Sequence, residues 1–175
     1  MNLIKSVVSA FCLSNCVAHN EFDLEKVLAS ERIDVAVMEI GTFLNFKSNY
    51  GEKLGKLNDS QKTLFYVEAL EFEVNNGGFD QFYFNSNGDF SNEIPKALEQ
   101  IGAFKTAELV KKANAVFNLE LVPIKRTKRQ NIMEKIADQS EVIWNQCDEE
   151  FYSSEENLSQ LLFEFVLAHK TDFEN

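Results

Sequence analysis

The chain has 175 residues, 45% hydrophobic and 26% charged, with a formal net charge of -11 from 17 basic and 28 acidic side chains. That size and apolar content suffice for one ordinary core without disulfide or metal support and exclude a chain disordered throughout. The acidic balance argues against direct binding to nucleic acid, 7 glycines and 2 prolines are too few for the turns of an all-β fold, and no run approaches the roughly 18 to 20 apolar residues of a membrane span.

The expectation is therefore all-α, a single compact multi-helix domain over residues 1–175 with about seven to eight helices. Met1 to Cys16 reads as a first helix, with Leu3, Val7, Ala10, Phe11, Ser14 and Val17 or Ala18 at helical spacing. Its charged start at Lys5 and the run Leu13-Ser14-Asn15-Cys16 leave a lipoprotein anchored through Cys16 as the alternative, against which Ser9 interrupts the apolar run and Asn15 suits lipidation poorly. Cys12 and Cys16 stand one turn apart; a reduced pair and a cytoplasmic location are expected. His19 joins them on that side, but no motif supplies a fourth ligand, so no metal site and no cofactor are expected.

Next, Asp23 is placed to cap a short helical turn, and Ser30 to cap a helix carrying Ile33, Val37, Ile40 and Phe43 or Leu44 on one side. Residues 50–58 read as a connection. Asp59 or Ser60 opens a strong helix to about Asn76, with Leu64, Val67 or Phe65, Leu70 and Val74 inside, and Gly77-Gly78 ends it as a cap or sharp corner. Phe79 to Phe84 forms a short aromatic helix. Asn92 is the expected cap of the next, which tolerates Pro95 in its first turn and ends at Gly102. Phe104 to Phe117 is amphipathic, a long helix runs from about Thr127 to Phe151, and Ser153 with Glu156 gives a capping-box pattern for a last helix lined by Leu158, Leu161, Leu162, Phe165 and Val166.

Charge is unevenly placed. Residues 1–133 hold 17 acidic and 15 basic side chains, whereas residues 134–175 hold 11 and 2, so the last quarter carries -9 of the excess. On the long helix Ile132, Ile136, Ser140, Ile143, Cys147 and Phe151 make one stripe, and Glu134, Asp138, Glu141, Asn145 and Asp148 another. Neighbours in such a row stand ~5 to 6 Å apart along the axis, sparser than the ~3.4 Å of one DNA strand, so resemblance to DNA needs a second row from Asp148, Glu149, Glu150, Glu155 and Glu156. The alternative is a solvated face. The cluster Lys125-Arg126-Thr127-Lys128-Arg129 is too small against the overall charge to bind a phosphate backbone; pairing with nearby carboxylates or with a second copy fits it better. No nucleophile, base and orienting group assemble from sequence spacing, and Gly77-Gly78 is not followed by the Lys and Ser or Thr of a phosphate loop, so an enzyme is not expected.

The run Glu71 to Asn85, EFEVNNGGFDQFYFN, resembles the signature of a bacterial domain-of-unknown-function family that includes the DNA-mimic proteins. The likeness continues through Ala97 to Ala103 and ends in an acidic helix followed by Asp172-Phe173, covering about residues 22–173 and leaving 1–20 outside. It implies an all-helical, often dimeric protein with an acidic surface and, for the DNA-mimic branch, occupation of the DNA-binding face of a helix-turn-helix regulator. The signature itself reads as structural: Gly77 and Gly78 form the corner, Phe79 and Phe82 fill the core, and Glu73, Asn75, Asn76, Gln81 and Asn85 satisfy backbone groups where helices break. The leading expectation is a non-enzymatic acidic protein that binds a basic DNA-binding partner through Glu134, Asp138, Glu141, Asp148, Glu149, Glu150, Glu155 and Glu156. Its rivals are a ligand-binding or enzymatic pocket around Glu73, Asn76, Gln81 and Asn85, and a helical domain whose acidic face is only solvated.

Overall fold

Side-chain caps at Asp23, Asn58 and Asn157 open three of the helices of the computed structural model, which describes residues 22–174; the expected first helix with Cys12, Cys16 and His19 lies outside them. Asp23 accepts the Lys26 N–H at 3.1 Å and opens α1 (Leu24–Leu28). Ser30 does not cap the next helix as expected. Its hydroxyl instead bonds both the N–H and the carbonyl of Arg32 at 3.2 Å, a local turn, and α2 (Ile33–Lys47) starts without a side-chain cap. After a 3₁₀ turn at Leu54–Lys56, Asn58 and Gln61 cap each other reciprocally and begin α3 (Asp59–Phe84).

As expected, the two glycines end one helical run at a sharp corner, and a second run follows within α3. Gly77 (φ -169°, ψ 28°) and Gly78 (φ 71°, ψ -173°) leave helical geometry, and the chain resumes as a helical arm from Phe79. The positive φ at Gly78 is the left-handed region that a side chain disfavours. A 3₁₀ turn at Ser86–Phe90 leads to α4 (Ile94–Gln100), with Pro95 in its first turn. Asn92, expected to cap α4, is used elsewhere: its amide bonds the Val122 carbonyl at 2.9 Å and the Val122 N–H at 3.0 Å, tying down the loop after α5 (Phe104–Ala115). α6 (Arg126–Tyr152) follows, then α7 (Leu158–Ala168) and α8 (Lys170–Phe173). Asn157 caps α7 through the Gln160 N–H at 2.9 Å, so the expected Ser153–Glu156 box does not form.

All regular structure among the described residues is helical, in eight α-helices. α3 is the central element: α6, α4, α2 and α8 pack on it, α5 bridges α4 and α6, and α7 lies against α2. The core follows the expected stripes, with Val37, Ile40, Leu64, Leu70, Val74, Phe79, Phe82 and Val110 all buried. Where α3, α5 and α6 meet, Tyr83 stacks on Trp144 at 4.8 Å and meets the Phe117 edge at 5.0 Å. Both polar tips are satisfied: the Tyr83 hydroxyl donates to Asn114 at 2.6 Å, and the Trp144 indole N–H to the Ala113 carbonyl at 3.1 Å. No helix among the described residues is long and apolar enough to cross a membrane.

Candidate functional site

The bend in α3 fixes everything that follows. A helix that breaks and restarts leaves backbone N–H groups unpaired at the restart. One of these, Phe79 N–H, donates to Asp148 Oδ1 of α6 at 2.8 Å. A Cβ at Gly78 would collide with that carboxylate, so the glycine is needed both for its φ and for the close approach of α6. Burial holds the Asp148 carboxyl above its ordinary value, the Phe79 N–H pulls it down, and the neighbouring Asp80 charge adds to the rise.

Beneath the bend the signature residues bond one another. Glu73 is buried, and its carboxylate accepts from Gln81 Nε2 at 2.9 Å, Asn85 Nδ2 at 2.8 Å and Asn87 Nδ2 at 3.0 Å. One carboxylate thus ties the helix before the corner to the arm after it and to the 3₁₀ turn beyond. Asn76 is not part of this cluster; it is exposed and donates to the Phe72 carbonyl at 2.6 Å, one turn back. Asn75 is exposed too, while Phe79 and Phe82 are fully buried. Asn87 has no distinguishing sequence signal beyond its place in a turn.

The end of the arm is capped by the basic cluster. Arg129 is fully buried and donates to the carbonyls of Tyr83 (2.6 Å), Asn85 (2.7 Å), Pro123 (2.9 Å) and Ile124 (3.0 Å), with Asp89 as its ion-pair partner at 2.8 Å. Arg126 and Gln130 add bonds to the Phe84 carbonyl at 3.0 and 2.9 Å. A guanidinium fork suits the diverging carbonyls of a helix C-terminus in both charge and geometry. Nothing in the sequence distinguishes Arg129 from its exposed neighbours.

The eight acidic residues expected at a partner interface fall into two groups. Three are engaged within the fold: Asp148 at the corner, Glu150 paired with Lys112 at 2.6 Å, and Glu156 at the start of α5. Glu156 accepts from the Lys105 N–H (2.9 Å), the Thr106 N–H (2.8 Å) and the Thr106 hydroxyl (2.7 Å). Burial opposes the ionised form there, yet these donors hold its pKa below the ordinary value. The other five, Glu134, Asp138, Glu141, Glu149 and Glu155, are exposed, with no ion-pair partner among the described residues. The second row needed for DNA-like density is therefore thinned to Glu149 and Glu155.

Along α6 a groove of about 430 Å³ opens against the arm of α3. Glu134, Glu141 and Asp148 stand along it with Asp80 of α3, and Phe84, Met133, Ala137 and Trp144 contribute apolar surface. Sequence reading found the carboxylates but not the groove, because its other members, Asp80 and Phe84, lie on a helix whose direction is set by the bend. A smaller polar cavity of about 220 Å³ lies between α3, α5 and the α6–α7 connection, lined by Glu71, Asn75, Thr106, Tyr152 and Glu156 among others. Glu68, one turn before Glu71, lies over Gly41 of α2; burial first, and the Glu71 charge second, push its carboxyl up to about 7. No group of His, Cys, Asp and Glu suited to a metal ion occurs among the described residues.

Comparison with known proteins places these features in a family. No curated protein and no solved structure matches the chain. A family model described as DMP19-like protein matches residues 55–169, which span the bend, the Glu73 cluster, the Arg129 cap and the whole of α6. The chain belongs to the DMP19-like protein family.

Proposed function

We propose that the protein is a non-enzymatic acidic interaction protein of the DNA-mimic type, which occupies the basic, DNA-contacting surface of a DNA-binding protein. The observation that carries this reading is the exposed series Glu134, Asp138 and Glu141 on α6, unpaired among the described residues, beside Glu149 and Glu155. Some exposed carboxylates elsewhere are partnered, as with Glu99 and Glu108 on Lys111 and Asp59 on Lys62, and others, such as Glu31 and Glu39, are not; what sets Glu134, Asp138 and Glu141 apart is that they follow one another along a single helix at four and three residue steps. On a helix anchored at both ends of the α3 arm, the backbone positions that carry these charges are fixed before a partner arrives, so binding has only side chains to order. Membership of a family that includes DNA mimics supports the same reading. The test is capture of binding proteins from bacterial lysate on the immobilised chain, with release by duplex DNA. A DNA-binding protein that duplex DNA releases, and that a Glu134→Gln/Asp138→Asn/Glu141→Gln variant fails to retain, supports the proposal. Equal retention by that variant contradicts it.

A further inference from the structure

We propose that the groove between α6 and the α3 arm is the docking site for a basic amphipathic helix of the partner, seated by an apolar side chain on the groove floor and by Lys or Arg on the walls. This rests on the reading of the chain as a ligand for basic proteins, and adds the place of contact and the side-chain pattern that it recognises.

Spacing is the first argument. Glu134, Glu141 and Asp148 line the groove at intervals of seven residues, which is ~10.5 Å at ~1.5 Å rise. That is about three times the axial charge spacing of ~3.4 Å on one DNA strand, so these three carboxylates are a poor copy of a phosphate row. The interval does equal the heptad repeat of a second helix lying alongside, where residues flanking the seam form the ion pairs that select a partner.

The floor is the second argument. Met133, Ala137, Ser140 and Trp144 line the groove at four, three and four residue steps, the spacing of a helix–helix seam. Ala137 is the exposed member of this seam, and Met133, Ser140 and Trp144 are buried around it. Phe84 of α3, half exposed, and Asp80 close the far wall. Carboxylates on both sides select cations; an apolar floor selects a side chain that a purely electrostatic contact would not need. The occupant that satisfies both carries Lys or Arg seven residues apart with a Leu- or Met-like side chain between them.

Trp144 is the only tryptophan of the chain and is buried at the groove, so its emission is a local probe of occupancy, read alongside the anisotropy of a labelled peptide. The full chain is titrated at low ionic strength with a synthetic amphipathic helix that has lysines at heptad spacing and leucine between them, and with its leucine-to-serine counterpart. The first peptide is expected to give a saturable change in emission, and the second to bind about tenfold or more weakly. Ala137→Phe, at an exposed position on the floor, is expected to weaken the leucine peptide to a similar degree. Glu134→Lys with Glu141→Lys is expected to abolish binding, whereas Glu39→Lys on exposed α2 surface leaves it unchanged. Equal binding of both peptides, unaffected by Ala137→Phe but lost on charge reversal, overturns the groove and leaves the acidic face standing. No binding of either peptide to the folded chain overturns the groove, and the reading on which it rests is decided separately by the capture and release experiment.

Discussion

Replacing Glu73 with Ala should be among the most damaging single changes away from the apolar core. The substitution removes the acceptor of three side-chain amides, Gln81, Asn85 and Asn87, at 2.8 to 3.0 Å. Leaving a buried donor unsatisfied costs about 1 to 3 kcal/mol. All three amide residues are half-buried, so water reaches part of the cluster and the lower end applies to each. The expected loss is about 3 to 5 kcal/mol, a large part of the roughly 5 to 15 kcal/mol that holds a domain together. Glu73→Gln keeps the volume but sets an amide N–H against one of the donors, and should lose about half as much. Urea unfolding followed by far-ultraviolet circular dichroism and Trp144 emission measures both. At a typical slope of about 2 kcal/mol per molar, the Ala variant shifts the midpoint by about 1.5 to 2.5 M. A shift under about 0.3 M at unchanged slope would refute the claim that this carboxylate holds the corner.

Three further outcomes follow from the same geometry. Gly78→Ala places a side chain at φ 71° against the Asp148 carboxylate, and should cost about 1 to 3 kcal/mol, with Asp148→Ala recovering part of the loss by removing the clash. Arg129→Ala leaves four carbonyls and Asp89 without their buried partner and should lower stability by about 3 to 5 kcal/mol, with Arg129→Lys recovering only part because an ammonium cannot reach the same fork of acceptors. Glu68 holds its proton more tightly in the folded chain than its ordinary value of 4.5 allows, so its contribution is fully present below about 4.5 and is lost as pH rises through about 7. The loss is at most about 3 kcal/mol, reduced by residual solvent contact; Glu68→Gln should flatten stability between those pH values, and an unchanged pH profile in that variant would count against the assignment.

The fold was legible because its helices carry their own period and breakers. Apolar stripes such as Leu64–Leu70–Val74 and Leu158–Leu162–Val166 became buried faces, and Gly77-Gly78 marked the place where α3 changes direction. What sequence could not resolve was which of several local options a polar side chain takes. Ser30, Asn92 and Glu156 each fit a cap for the next helix, yet Asn92 and Glu156 bond groups at least 30 residues away and Ser30 closes its own turn. The same limit applied to the acidic row. Periodicity placed Asp148 on the carboxylate side of α6, but only the fold brings the Phe79 N–H within 2.8 Å of it. Arg129 looked like one of four surface cations, because its burial depends on where the end of the α3 arm arrives.

The central claim is that the exposed α6 carboxylates occupy the site where a DNA-binding protein holds DNA, and mutual exclusion tests it most directly. The captured partner, purified and bound to labelled duplex DNA, is titrated with this chain and then with its Glu134→Gln/Asp138→Asn/Glu141→Gln variant. The account predicts that the native chain displaces the DNA, that its own affinity for the partner, measured without DNA, weakens as ionic strength rises from about 0.01 to about 0.15 M, where the Debye length falls from about 30 to about 8 Å, and that the variant displaces poorly. A stable ternary complex of chain, partner and DNA, or displacement by the variant equal to that by the native chain, would contradict it.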